Sequence, residues 1–204
     1  MRNVILFPAI AATAVAMAMP LAAAQKNGAI AQDFKLTDTN GKTVQLSEFR
    51  GKNVVLEWHN PGCPFVQKHY DSGNMQATQA AARKQGVVWL TINSGAKGKQ
   101  GHMNGAEANT LLKSQKSKPT HYLLDMKGVV GKAYAAKTTP HMYIINKSGK
   151  LVYQGGIDDK PTANKKDIAG ARNHVTAALK ELDSGKRVSV ASSRPYGCSV
   201  KYAS

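Results

Sequence analysis

The sequence predicts an α/β fold with a central mixed β-sheet flanked by helices and an irregular C-terminal tail. Three observations carry this. Two continuous apolar runs, Asn53–Trp58 and Val87–Asn93, have the pattern of strands buried on both faces. Helical stretches alternate with them, which is the pattern of a sheet covered by helices on both faces. A hairpin followed by an amphipathic helix closes the domain.

In chain order, Phe34 and Leu36, the Asn40-Gly41 turn, and Val44 and Leu46 predict two short strands. The run Asn53–Trp58 ends at Pro61-Gly62. Pro64 follows Cys63 directly and suits the first position of a helix, where its missing N–H has no partner to lose. Cys63 therefore falls at a strand-to-helix junction. A second helix is expected over Met75–Lys84, with Gly86 as its stop. After the strand Val87–Asn93, the Gly- and Lys-rich stretch Ser94–Gly105 reads as a mobile loop. A helix is expected over Ala106–Lys113, a short strand at Tyr122–Leu124 and a short helix over Val129–Ala136. His141–Asn146, the turn Lys147-Ser148-Gly149 and Leu151–Gly156 form the hairpin. The spacing of Ile168, Ala171, Val175, Ala178 and Leu182 predicts a helix over Asp167–Leu182. There is no internal repeat.

Residues 1–24 stand apart. A short positive start, an apolar run from Val4 to Leu21 and the small residues Ala22–Ala24 have the layout of a secretory signal peptide. The expected organisation is signal peptide 1–24, domain 25–186, and tail 187–204 carrying Cys198. Periplasmic or secreted localisation follows, with no stable membrane insertion after cleavage. The net charge is +16. Its lysines are scattered, with a loose concentration at Lys97, Lys99, Lys113, Lys116 and Lys118. No basic helix with interleaved aromatics and no finger spacing occurs, so nucleic acid is not an expected partner. The charge reads as a solvated surface, or as one that speeds encounters with acidic proteins or anionic membranes. Two cysteines, Cys63 and Cys198, are an even count in a compartment that permits disulfides.

Three pieces in this order, DFKLTDTNGKTVQLSEFRGKNVVLEW, the cysteine at the strand–helix junction, and YLLDMKGVVGKAYAAKTTPHMYIINKSGKLVYQGG, resemble the thioredoxin-fold redoxins of the alkyl hydroperoxide reductase/thiol-specific antioxidant family. The likeness spans Asp33 to about Leu182. It implies a thioredoxin-like fold and a thiol-dependent antioxidant or redox activity needing no cofactor. The substrate is a protein disulfide or thiol partner, or a hydroperoxide; no electron donor is named by the sequence. The resemblance also implies that Thr139-Pro140 is the family's cis-proline site and that Thr139 lies against the reactive sulfur.

A helix N-terminus favours a thiolate through its free N–H groups and dipole, so Cys63 is the expected nucleophile. The chain departs from the family in informative places. Val66 stands where a second cysteine of a C-x-x-C motif would be. Leu56 and Asn60 stand where peroxiredoxins have proline and threonine, and no arginine clearly matches theirs; Arg83 is the nearest candidate. Cys198, beside Gly197 in a tail expected to be mobile, is the candidate resolving thiol. Asn60, Pro64, Thr139 and Pro140 are expected to shape substrate access, and His59 and Glu57 are candidates for proton transfer. Glu57 lies in an apolar strand, where a carboxylate is costly unless paired.

Two alternatives stay open. One is a non-catalytic binding module with a structural Cys63–Cys198 disulfide. The other is a copper-binding protein using Cys63 with His59, His69, His102-Met103 or His141-Met142.

Overall fold

In a computed structural model of the chain, residues 25–203 are described; the signal peptide expected at 1–24 lies outside them. The strands are β1 (Lys35–Asp38), β2 (Thr43–Gln45), β3 (Val54–Trp58), β4 (Val88–Asn93), β5 (His121–Leu124), β6 (Thr138–Thr139), β7 (His141–Ile145), β8 (Leu151–Gly155) and β9 (Cys198–Ser199). The α-helices are α1 (Pro64–Asp71), α2 (Asn74–Lys84), α3 (Gly105–Ser114), α4 (Val129–Ala133) and α5 (His174–Asp183). Seven strands form one sheet in the order β2-β1-β5-β4-β3-β7-β8, and β6 pairs with β9 separately.

The two apolar runs are the centre of that sheet. β3 and β4 run parallel, joined by α1 and α2, and every residue of both is buried. Strand alternation sends Leu56, Trp58, Leu90 and Ile92 to one face, with Tyr134 and Tyr143. Val55 and Trp89 point to the other, where α1, α2 and α5 bring Val66, Tyr70, Met75, Ala82, Val175 and Leu179. Cys63 belongs to this second cluster.

Two expectations are corrected. The helix expected over Asp167–Leu182 is a 3-10 turn at Lys165–Ile168 and a separate α5 starting at His174. Asn173 separates them: its backbone is extended, and its side chain accepts from the Thr176 N–H at 2.9 Å, which fixes the helix start. Ile168 and Ala171 therefore lie off the helix. The tail, expected to be mobile, is docked along its length. The Ser193 hydroxyl accepts from the Gly156 N–H at 3.0 Å, Tyr196 is buried, and Thr139 pairs with Cys198 in antiparallel register. Further on, the Val200 N–H donates to the Lys137 carbonyl at 3.1 Å and the Tyr202 hydroxyl to the Ala136 carbonyl at 2.8 Å.

Candidate active site

Cys63 is the N-cap of α1, with Pro64 in the first turn behind it. The turn before it is built by Asn60. Its side-chain oxygen accepts from the Gly62 N–H at 2.9 Å, and its carbonyl accepts from the Cys63 N–H at 3.1 Å. This is an Asx-type turn, which explains a short polar residue at that position. The Asn60 amide nitrogen donates to Gln100 at 3.3 Å. Asn60 thus positions the cysteine through the backbone.

On the other side of the sulfur lies the Thr139–Pro140 peptide bond, which is cis. The Cys63 thiol donates to the Thr139 carbonyl at 3.0 Å. The Cys198 N–H donates to Cys63 Sγ at 3.4 Å. Cys63 is fully buried, Cys198 is partly exposed, and both are free thiols. Gly197, immediately before Cys198, has φ +128°, and a Cβ there would overlap the Thr139 carbonyl oxygen. Glycine is what lets the tail approach this closely.

The two thiols are electrostatically unequal. Burial pushes the Cys63 thiol up, but the Cys198 thiol and N–H, the Thr139 side chain and the Val66 N–H all favour its anion and bring it below its ordinary value of 9.0. The Thr139 carbonyl opposes them, since it can only accept; the donors outnumber it. Burial, the hydrogen bond to Cys63 and the nearby Cys63 charge push Cys198 up to about 11. The pair thus favours a thiolate on Cys63 and a proton on Cys198.

Behind the pair lies a buried ionic cluster that the sequence did not announce. Lys68 on α1 donates to the Lys160 carbonyl at 2.8 Å and lies 3.5 Å from the Asp158 carboxylate. The Tyr196 hydroxyl donates to Asp158, and Lys68 Nζ sits 5.6 Å from the centre of the Tyr196 ring. His69 Nδ1 faces the Asn74 amide at 2.8 Å and its Nε2 the Tyr196 hydroxyl at 3.2 Å. These contacts hold Tyr196, two residues from Cys198, against α1. The only sequence signal for them was an aromatic beside the tail glycine; Lys68 reads as a solvent-facing helix residue.

The remaining expected residues sit deeper. Glu57 is buried and accepts from Tyr70 at 2.7 Å, Trp89 at 2.8 Å, Thr91 at 3.0 Å and Gln79 at 3.3 Å. Burial raises its pKa above 4.5, and the four donors offset this only in part. His59 contacts the Tyr122 hydroxyl at 2.9 Å through Nδ1, its Nε2 has no partner among the described residues, and burial lowers its pKa to about 3. His141 accepts from the Lys137 N–H at 3.2 Å, and burial likewise lowers it to about 3. Among the described residues, none of these three hydrogen-bonds a cysteine sulfur. Arg83 donates to the Lys118 carbonyl at 3.4 Å, on the far end of α2. Among the described residues, no group of three or more His, Cys, Asp and Glu gathers as a metal-binding set.

The AhpC/TSA family model matches residues 27–154. Thiol-disulfide oxidoreductase ResA of Bacillus subtilis is 29% identical over 125 residues, which are 61% of this chain and 64% of ResA. The chain thus matches less than two thirds of that relative. Peroxiredoxin Bcp of Escherichia coli is 30% identical over 152 residues, 70% of this chain and 92% of Bcp. Among solved structures, an uncharacterized conserved protein from Geobacillus kaustophilus is 27% identical with a TM-score of 0.73, covering 87% of this chain and 93% of its own. A hypothetical protein from Sinorhizobium meliloti has a TM-score of 0.74 at 24% identity, covering 89% and 97%, a likeness of fold. The family match stops before α5 and the tail, so Cys198 lies outside it.

Proposed function

The chain belongs to the AhpC/TSA family, and from that premise we propose that it is a thiol-dependent oxidoreductase whose working pair is Cys63 and Cys198. The observation that carries the reading is the Cys198 N–H on Cys63 Sγ, in register with Thr139. It supports Cys63 as the nucleophile of the reduced pair, made anionic by the helix start and by its partner, and Cys198 as the thiol that closes the disulfide. Thr139, Pro140 and Pro64 frame the sulfur, and Asn60 sets the turn that presents it. Glu57, whose proton burial favours and which lies on the same face of the sheet, is the group we assign to proton storage. His59, neutral and turned to Tyr122, is not given that role. The compartment we propose is periplasmic or secreted, on the leader composition of residues 1–24.

Thiol–disulfide interchange with a protein partner is the favoured reaction. Peroxide reduction is the second reading, supported by the likeness to a peroxiredoxin. It ranks second because a peroxide oxygen needs a donor beside the sulfur, and the Asn60 amide is engaged with Gly62 and Gln100.

The test is a glutathione redox titration of the protein with non-reducing peptide mapping. The expected result is a Cys63–Cys198 disulfide that forms and opens reversibly. Thiols that never link, or a link that resists reduction, would defeat the reading. Stopped-flow tryptophan fluorescence, with Trp89 on the sheet face that holds Cys63, after mixing reduced protein with hydrogen peroxide, beside a Cys63→Ser control, decides between the two substrates: a fast change lost in the variant moves the assignment to peroxidase.

A further inference from the structure

We infer that the disulfide form is opened at Cys198: a partner's thiolate attacks Cys198 Sγ, and Cys63 is the sulfur that leaves. The inference rests on the proposed Cys63–Cys198 pair and goes beyond it. It reverses the order expected from sequence, in which the partner meets Cys63 and Cys198 resolves. The substrate class it names is a cysteine thiol of a protein or peptide, and the covalent intermediate is carried by the tail.

Access is the first argument. Thiol–disulfide exchange needs the attacking sulfur in line with the bond that breaks, on the outer side of the sulfur attacked. Cys63 is 0% exposed and is built into the core cluster with Val66, Met75 and Met142. Its outer side is protein interior. Cys198 lies above it, partly exposed, at the end of a docked strand.

The leaving group is the second argument. The sulfur released on attack at Cys198 is the one at the start of α1, facing the Cys198 N–H at 3.4 Å. Those contacts favour the anion on Cys63, and a thiol of lower pKa leaves faster. Attack at Cys63 would instead release Cys198, which sits on a strand with no helix start behind it and whose thiolate burial disfavours.

Space is the third argument. An open cleft of about 610 Å³ runs beside the tail strand, lined by Phe65, Thr138, Asp158, His174, Tyr196 and Gly197. It reaches the residue before Cys198 and is of a size that takes several side chains of a partner segment.

The step balances. The partner sulfur forms a bond to Cys198 Sγ as the Cys63–Cys198 bond breaks, and Cys63 takes the electron pair as a thiolate. A second partner thiolate then attacks the first partner's sulfur, and Cys198 leaves and takes up a proton. Two electrons have passed from two partner thiols to the pair. If the second thiol is slow, Cys63 attacks the mixed disulfide from inside and returns the partner unchanged.

The test uses the oxidised full chain with glutathione as the probe, quenched in acid at successive times and mapped by mass spectrometry. The expected result is a glutathione adduct on the Cys198 peptide exceeding that on the Cys63 peptide by at least about tenfold, given the difference in access and leaving group. An adduct on Cys63, or one divided evenly, overturns the inference. So does a disulfide that glutathione opens at neither sulfur, because an accessible Cys198 with a stabilised leaving group must react. An adduct on Cys63, or one divided evenly, leaves the proposed function standing because the disulfide has opened, and overturns this inference alone; a disulfide that opens at neither sulfur removes both.

Discussion

Replacing Glu57 by glutamine gives a pH signature that follows from one buried carboxyl. Glu57 is fully buried on β3, with Oε1 accepting from Tyr70 and Oε2 from Trp89, Thr91 and Gln79. Burial is the largest influence and raises its folded pKa above the ordinary 4.5. A carboxyl so raised binds its proton more tightly folded than unfolded. Its contribution to stability is complete below 4.5 and is lost as the pH climbs toward the folded value. Within that window one proton is worth about 1.4 kcal/mol per pH unit. Glutamine keeps the shape and one carbonyl acceptor for the three donors on Oε2. Its amide takes the place of Oε1, where the Tyr70 hydroxyl can turn to accept. It does not titrate. Urea unfolding of both reduced proteins at a series of pH values between about 4 and 8 gives the difference in unfolding free energy. The wild-type protein should lose stability relative to Glu57→Gln as the pH rises past 4.5. A difference that does not vary with pH refutes the reasoning. A difference of opposite slope shows that the four donors, not burial, set the proton.

Gly197→Ala places a Cβ against the Thr139 carbonyl at φ +128°. Strain of about 1–3 kcal/mol should loosen the tail pairing and speed iodoacetamide modification of Cys63 by about tenfold or more; an unchanged rate means the tail does not cover the sulfur. Lys68→Met leaves the Asp158 carboxylate buried without its cation. It should cost about 3–5 kcal/mol in urea unfolding, much of it recovered in Lys68→Met/Asp158→Asn; equal losses in the single and double variants would show that the pair is not coupled. Cys198→Ala removes the thiol donor on Cys63 and should move the Cys63 thiolate midpoint upward in an ultraviolet titration of the reduced protein; a midpoint that stays fixed or falls would show that Cys198 does not hold the anion.

What the sequence disclosed follows how local each determinant is. β3 and β4 are legible because a strand buried on both faces must be apolar throughout, and the start of α1 because Pro64 fits a first helical turn. Apolar periodicity predicts one helix over 167–182 because it counts spacing and cannot see a cap. Asn173 stops the pattern with one side-chain hydrogen bond, while Ile168 and Ala171 still fall on the expected spacing. Glu57 was recognisable as costly, but its four donors come from β4, α1 and α2, and only the packed sheet brings them together. The tail was the least legible part. Its docking depends on Tyr196 reaching a carboxylate and a lysine that look like ordinary surface residues.

The consequence of taking the second thiol from a tail is a linkage that a local C-x-x-C motif does not have. With Val66 in the local position, Cys198 reaches Cys63 only while the tail is docked. Docking through Tyr196, the Thr139 pairing and Tyr202 acts as the effective concentration of one thiol at the other. Docking and the disulfide favour each other by the same amount, so a loss of docking free energy counts against the disulfide once it is large enough to release the tail of the reduced form. Substitutions in the Lys68–Asp158–Tyr196 cluster, which touches neither sulfur, should therefore make a Cys63–Cys198 disulfide easier to reduce. A local substitution of equal cost to stability on β1 or β2, far from the tail, should leave that reduction unchanged. The comparison separates a tail that sets the redox equilibrium from one that merely contributes to the stability of the fold.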